Sequence, residues 1–539
     1  MFDDKLAKLN GFVAKSVVGR YFRLRGSGRR RTRDTDFTTE VQAGVTAFLA
    51  LAYIIGLNAA IVAETGGSCV CTATDAVGAD SHCKNDVGYL ICKREFQKDM
   101  AAATSVVTGI GSVLMGVLAN LPIELSCGIG STVYFVYNMV GYHGSGDISY
   151  STALGAVFYE GLIFVLLTIL GVRQWLAKLL PASLKHATCV GLGLFICFIG
   201  MRQDIGIGLI GPNTTTFVAL SGCKPENRNP ITQECPSNGV HNPTTILGLG
   251  GVLLMTILTL FRVRGAILIG ILVVSIVSWI RHTPFTYFPD NPSGQVAYDY
   301  FTTIADFHTL RNTMAVLSFN IWDIKVVLPL ATMLYIDLLD TTGTIFTHAA
   351  MMDMVDENGD FDGATTAFLC DGATIAIGSL FGMPPVTALL DSGIGITEGG
   401  RTGIVAIVAG ILFFLSAIWT PIFTSFPPWA TGPSLIMVGV LMSRNSTMIP
   451  WEFPGEAVPA FLIITIMPLT FSVENGILAG IISYVIIHVL ARIITFATHG
   501  SLVPLSPPDS DDYDLNERRV SILPPWISAL KAYVSRWFS

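Results

Sequence analysis

The segment Tyr335–Phe346, YIDLLDTTGTIF, places two carboxylates, Asp337 and Asp340, inside a run that is otherwise apolar. Three residues apart on a helix, they share a face. Asp391, six residues after Pro385 in GMPPVTALLDSGIGI, is a third acid in apolar surroundings. A charged Asp at the centre of a membrane helix costs roughly 2.5–3.5 kcal/mol, so an acid kept there points to a solute or proton pathway. The bland alternative is an acid satisfied by nearby hydroxyls, here Thr341, Thr342 or Ser392. Asp371 reads that way. Asp337 and Asp391 read as functional, and Asp340 as either functional or a tie between helices.

A carboxylate accepts two N–H donors at once, and it can take a proton on one side of a membrane and release it on the other. No Lys or Arg accompanies the three acids, so the cluster would repel an anion. It suits a flat, neutral heterocycle that presents N–H donors. Thr132, Thr387 and Ser392 are polar groups expected beside such a substrate, and Tyr134 with Phe135 offers a face for stacking. Asp337, Asp391 and Asp340 are then the proton-coupling candidates. One charge moved down 100 mV is worth about 2.3 kcal/mol, which supports roughly 50-fold accumulation of a neutral solute.

The elements that hold these acids follow from composition. Of 539 residues, 51% are hydrophobic and 13% charged, with mean hydropathy +0.59. Soluble domains carry roughly 25% charged residues. The chain therefore reads as an all-α polytopic membrane protein. Long apolar runs lie at Ala43–Ala63, Met100–Leu121, Ala153–Leu170, Thr244–Phe261 and Ile404–Phe423. Shorter runs, with two segments interrupted by Gly or Pro (Leu125–Val140 and Gly382–Ile396), bring the expectation to about fourteen crossings. The arm GSGRRRTRD, Arg173, Lys178, Lys185, Arg262, Arg264, Arg401, Arg518 and Arg519 fall on one side, which puts both termini in the cytoplasm. The expected division is a cytoplasmic arm 1–40, a first seven-helix repeat 41–282, an extracellular loop 283–324, a second repeat 325–494 and a cytoplasmic tail 495–539.

On the outer side this orientation places Cys69, Cys71, Cys83, Cys92, Cys223 and Cys235, candidates for disulfides whose pairing spacing leaves open. Asn213, in NTT, is a glycosylation sequon on the same side. Both features point to the plasma membrane.

The segment around the acids has an echo. AYIIGLNA (Ala52–Ala59) matches LYIDLLDT (Leu334–Thr341), aligning Tyr53 with Tyr335 and Asn58 with Asp340. GIGSVLMG (Gly109–Gly116) matches AIGSLFGM (Ala376–Met383). Seven crossings per copy make the second copy inverted, and paired interrupted segments in such repeats mark the binding site. Non-helical backbone at membrane depth must be satisfied by protein or a wet cavity. Free N–H donors of the broken segments are expected near Ser131–Val133 and Val386–Ala388.

YIDLLDTTGT, GSLFG, PVTALLDS, GITEGGRTG and the outer GYHGSGDISYSTALGAVFYEGLIF resemble the AzgA-like purine permeases, distant relatives of nucleobase–ascorbate transporters. The resemblance implies a core domain (crossings one to four and eight to eleven) that rocks against a gate domain, in a homodimer. Thr132 stands where the family has Asn, and Asp391 where it has Glu. The functional expectation is a secondary active transporter, not an enzyme, that imports adenine, guanine and hypoxanthine by proton symport. Its partners are the purine base, the proton and membrane lipid, with no nucleic acid, cofactor or metal. The alternatives are a non-transporting nucleobase receptor and a transporter of xanthine or uracil.

Overall fold

The computed structural model describes residues 2–498 except 28–32, 70–86, 172–180, 203–205, 214–216, 221–241, 355–360 and scattered positions between 264 and 322. Cys71, Cys83, Cys223, Cys235 and nearly all of the tail 495–539 lie outside the described residues.

The arm folds as α1 (Phe2–Lys15) and α2 (Val17–Tyr21), with Ser16 capping α2 by accepting from the Gly19 amide. The first apolar run, expected as one helix, is α3 (Phe37–Leu51) and α4 (Tyr53–Ala63), which continue one another across Ala52. Then come α5 (Val87–Leu114), β1 (Leu125–Cys127), α6 (Ile129–Tyr134), which runs on as a π-helical stretch to Val140, and α7 (Tyr150–Ile169). α8 (Ala182–Met201) leads to the hairpin β2 (Ile210–Asn213) and β3 (Phe217–Leu220), and β2 ends at the sequon residue. α9 (Pro243–Leu260) is capped by Asn242 and has Pro at its first turn. α10 (Ala266–Trp279) follows.

Residues 283–324 are not a plain loop. They contain α11 (Pro292–Thr302), whose Phe301 packs on Trp279 and Phe288. The second half contains α12 (Ile324–Met351), α13 (Ala364–Leu380), β4 (Val386–Ala388), α14 (Gly393–Thr397), α15 (Ile404–Ser416) and α16 (Thr420–Phe423). It closes with α17 (Pro428–Ser443), α18 (Pro454–Thr470) and α19 (Val473–Ala497).

Among the described residues, seven stretches are long and apolar enough to cross a membrane: 37–63, 88–119, 150–169, 182–201, 243–260, 404–423 and 473–497. Shorter apolar helices cover 266–279, 364–380 and 454–470. The outer faces stay apolar. α19 exposes Ile482, Val485, Ile486, Val489, Leu490, Ile493 and Ile494, a surface that only lipid would solvate well.

The helices pack in two groups. α8, α9, α10, α17, α18 and α19 form one; α3, α4, α5, α7, α12, α13 and α15 form the other, around both interrupted segments. Those segments meet as a two-stranded antiparallel ribbon, with Leu125 opposite Ala388, Ser126 opposite Thr387 and Cys127 opposite Val386. The Gly128 amide extends it to the Pro385 carbonyl at 3.3 Å. Each half of the chain thus satisfies the exposed backbone of the other, which is what non-helical backbone at depth requires.

Cys69 and Cys92 form a disulfide that ties the chain just after α4 to α5. At the opposite end the arm is docked. Phe22 and Leu24 pack on Ile404. The Arg33 guanidinium donates to the carbonyls of Asn120 (2.5 Å) and Arg401 (2.6 Å), the approaches to the first interrupted segment and from the second. Burial draws this guanidinium down to about 10, which leaves it charged at neutral pH.

Candidate functional site

α12 is the site helix. Asp337 lies thirteen residues from its start at Ile324 and fourteen from its end at Met351. Its side chain is fully buried, and neither carboxylate oxygen has a hydrogen-bond partner of good geometry among the described residues. Its polar neighbours are Glu160 of α7, Ser131 of α6 and Asp340. One turn on, the Thr341 hydroxyl donates to Asp371 Oδ2 (3.1 Å) and sits 2.7 Å from the Thr387 hydroxyl of β4. Asp371 is therefore held by a hydroxyl, as the sequence suggested. Thr387 faces Ser126 across the ribbon, and Ser126 reaches Thr108 of α5 at 2.7 Å.

α4 is the counterpart of α12 in the first half. Its Tyr53 hydroxyl donates to Asp391 Oδ2 at 3.0 Å. Asn58, five residues on and so about 7.5 Å along the axis, accepts from Thr132 at 3.5 Å and donates to Thr104 at 2.7 Å. One helix therefore contacts both interrupted segments, through Tyr53 to the second and Asn58 to the first. α12 does the same, through Ser131 to the first and Thr387 to the second. The two helices thus make crossed contacts, each reaching one residue of either interrupted segment.

Asp337 and Asp391 are both kept from lipid but have different partners, Glu160 and Tyr53 respectively. Asp340 is half-buried beside Cys189 of α8, on the boundary between the two helix groups. Tyr134 is buried, with its hydroxyl engaged by Glu474 of α19 and by the Pro329 carbonyl of α12. It bridges helices. Ser392 accepts from the Glu124 amide (3.2 Å) and donates to the Glu124 carbonyl (3.4 Å), which fastens the turn before α14 to the chain entering β1. The second half-helix starts at Gly393 after a turn at Leu390–Ser392, so Val386–Ala388, where free amides were expected, is strand instead. The first begins at Ile129, close to expectation.

Sequence reasoning passed over Glu160, and named Tyr53 only as the repeat match of Tyr335 and Thr341 only as a hydroxyl partner for an acid. Glu160 is ten residues from the start of α7 and nine from its end. It is fully buried, next to Asp337 and Asp371, and neither of its oxygens has a partner of good geometry among the described residues. Gly161 beside it allows the approach: a Cβ there would lie 2.6 Å from the Ala376 amide of α13. The signal that flagged Asp337, an acid within an apolar run, is present in YEGLIFVLLTI as well.

Comparison with known proteins places this arrangement. The sequence pattern described as Permease family matches residues 87–226 and 229–498. An efflux pump, notK', of Aspergillus versicolor is 43% identical over 530 residues, spanning 97% of this chain and 91% of that protein. A putative xanthine/uracil permease of Schizosaccharomyces pombe is 41% identical over 527 residues, 96% and 82% of the two chains. The guanine/hypoxanthine permease PbuO of Bacillus subtilis is 29% identical over 464 residues, 85% and 93%. Among solved structures, the transmembrane domain of the cyanobacterium bicarbonate transporter BicA aligns with TM-score 0.52 at 14% identity, over 82% of this chain and 97% of that domain, a likeness of fold. The resemblance carried by YIDLLDTTGT and GITEGGRTG thus extends along nearly the whole sequence, and this multi-pass membrane protein, a permease and not an enzyme, belongs to the Permease family.

Proposed function

We propose that the protein imports purine nucleobases together with protons across the plasma membrane. The observation that supports this reading is the ribbon of β1 and β4, which pairs the two interrupted segments that bear Thr132, Thr387 and Asp391, with Asp337 beside Ser131 of the first. The printed name of the Bacillus relative supports guanine and hypoxanthine as substrates. A purine offers ring N–H donors to a carboxylate and ring acceptors to hydroxyls, and the site has both kinds of group without a cation. In this reading Asp391, oriented by Tyr53, and Thr132 meet the base, while Asp337 and Asp340 serve coupling. Tyr134 and Ser392 position helices instead of touching substrate. Fourteen crossings in a seven-plus-seven inverted repeat, with both termini cytoplasmic, fit the element order. The two helix groups act as gate and core.

The test is uptake of labelled hypoxanthine in proteoliposomes under an inward proton gradient, with pH recorded and unlabelled adenine, guanine, xanthine and uracil as competitors. Expected are net uptake, internal acidification and competition by purines. Binding without flux would replace this reading with a receptor. A second direction has support from the 43%-identical relative, whose printed name is an efflux pump. Net loss of label from preloaded vesicles, unmatched by uptake, would favour export.

A further inference from the structure

We infer that Glu160 and Asp337 form one carboxyl pair that carries the coupling proton, so that Glu160, on α7, is a coupling residue in its own right. The inference deepens the proton-coupled reading above and rests on it.

Three observations converge. Both side chains sit at the midpoints of their helices, and those two helices pack on one another. Both are 0% exposed, and all four oxygens lack a hydrogen-bond donor of good geometry among the described residues. Asp391 accepts from Tyr53 and Asp371 from Thr341, whereas Glu124, buried at the entry to β1, shares with the pair that neither oxygen has such a donor among the described residues. The groups that face the pair are Asp340 of α12, Asp371 of α13 and the hydroxyls of Ser131 and Tyr134 of α6, with no cation among those that act on it. Two carboxylates side by side, away from water and unaided by a cation, repel. A single proton between them converts that repulsion into a hydrogen bond.

The step balances simply. A proton arriving from the outer side forms an O–H bond on one carboxyl, which donates to the other, and the pair goes from two negative charges to one. Release on the inner side breaks that O–H bond and restores both charges. Ser131 is Asp337's contact on α6 and is followed directly by Thr132, which bonds to Asn58. The charge on the pair is thereby felt one residue from a proposed substrate contact, which is the physical requirement for coupling.

The experiment uses the full chain in proteoliposomes. In wild type, labelled hypoxanthine accumulates under a proton gradient. Glu160→Gln should bring the accumulation ratio down to equilibration, a loss of up to roughly 50-fold at 100 mV, while exchange of labelled for unlabelled hypoxanthine at equal pH persists. Glu160→Asp should recover part of the accumulation. Independently, infrared spectra of the purified chain should show a protonated-carboxyl band that titrates in wild type and disappears in both Glu160→Gln and Asp337→Asn. Gradient-driven accumulation retained in Glu160→Gln would overturn the proposal. So would an infrared band unaffected by that substitution, or wild-type accumulation that follows a sodium gradient at constant pH. If wild type exchanges no nucleobase, the transport reading falls alone, and the infrared titration still decides whether the pair shares a proton.

Discussion

Asp391, proposed above to meet the base, shows how one side chain can be prepared for a ligand. Its Oδ2 accepts from Tyr53, which leaves the other oxygen for a substrate donor. A hydrogen bond to a charged group is worth about 1.5–3 kcal/mol. Tyr53→Phe should therefore raise the KM for hypoxanthine by at least roughly tenfold, with folding unchanged by circular dichroism; an unchanged KM would remove Asp391 from the binding surface. Thr341 has a structural part, bridging Asp371 and Thr387. Thr341→Val removes a buried hydrogen bond from each of Asp371 and Thr387 and should lower stability by about 1–3 kcal/mol, read as a fall in Tm in detergent. At this scale the sequence was readable where chemistry clashes with surroundings. Asp337 and Asp391 stand out as charges in apolar runs, and Glu160 would have done so under the same test. The bond between Tyr53 and Asp391 spans 338 residues, and no local pattern announces a contact of that range.

The interrupted segments are the elements that matter most. Gly and Pro in Leu125–Val140 and Gly382–Ile396 announced breaks, and both segments do break. What the letters did not reveal is that the broken pieces pair as a ribbon, because strand pairing depends on the partner's position in space. The same ignorance missed that the Thr387 amide turns into the ribbon, while those of Val386 and Ala388 point away from β1. The ribbon also explains Gly128: a Cβ there would stand 2.5 Å from Thr387 Cγ2. Gly128→Val should splay β1 from β4 and abolish hypoxanthine uptake, while the protein still reaches the membrane. Uptake near wild-type level would mean that the ribbon tolerates separation. The turn inside the first apolar run and the helix inside 283–324 went unannounced for a different reason. A single turn at Ala52 leaves no mark on hydropathy, and α11 is too polar to register as a span.

For the molecule as a whole, the question is how its two helix groups communicate. Tyr134 of α6 grips Glu474 at the start of α19, and Asn138 donates to the Phe471 carbonyl at 3.2 Å in the turn before it. If this grip holds one conformation, Tyr134→Phe and Glu474→Gln should change maximal uptake rate equally, and the double variant should add nothing beyond either. Additive effects would show that the two residues act separately. The disulfide between Cys69 and Cys92 closes a loop with a sequence separation of 23. Loops of this length are stabilised by about 3 kcal/mol, so Cys92→Ser should lower the Tm without altering substrate preference. Arg33 has a wider consequence. It clasps the carbonyls of Asn120 and Arg401, so a residue near the start of the chain handcuffs the feet of both interrupted segments. Whatever tugs on the first thirty-odd residues, whether a bound protein or a clipping protease, gains a lever on the permeation route without ever entering the bilayer.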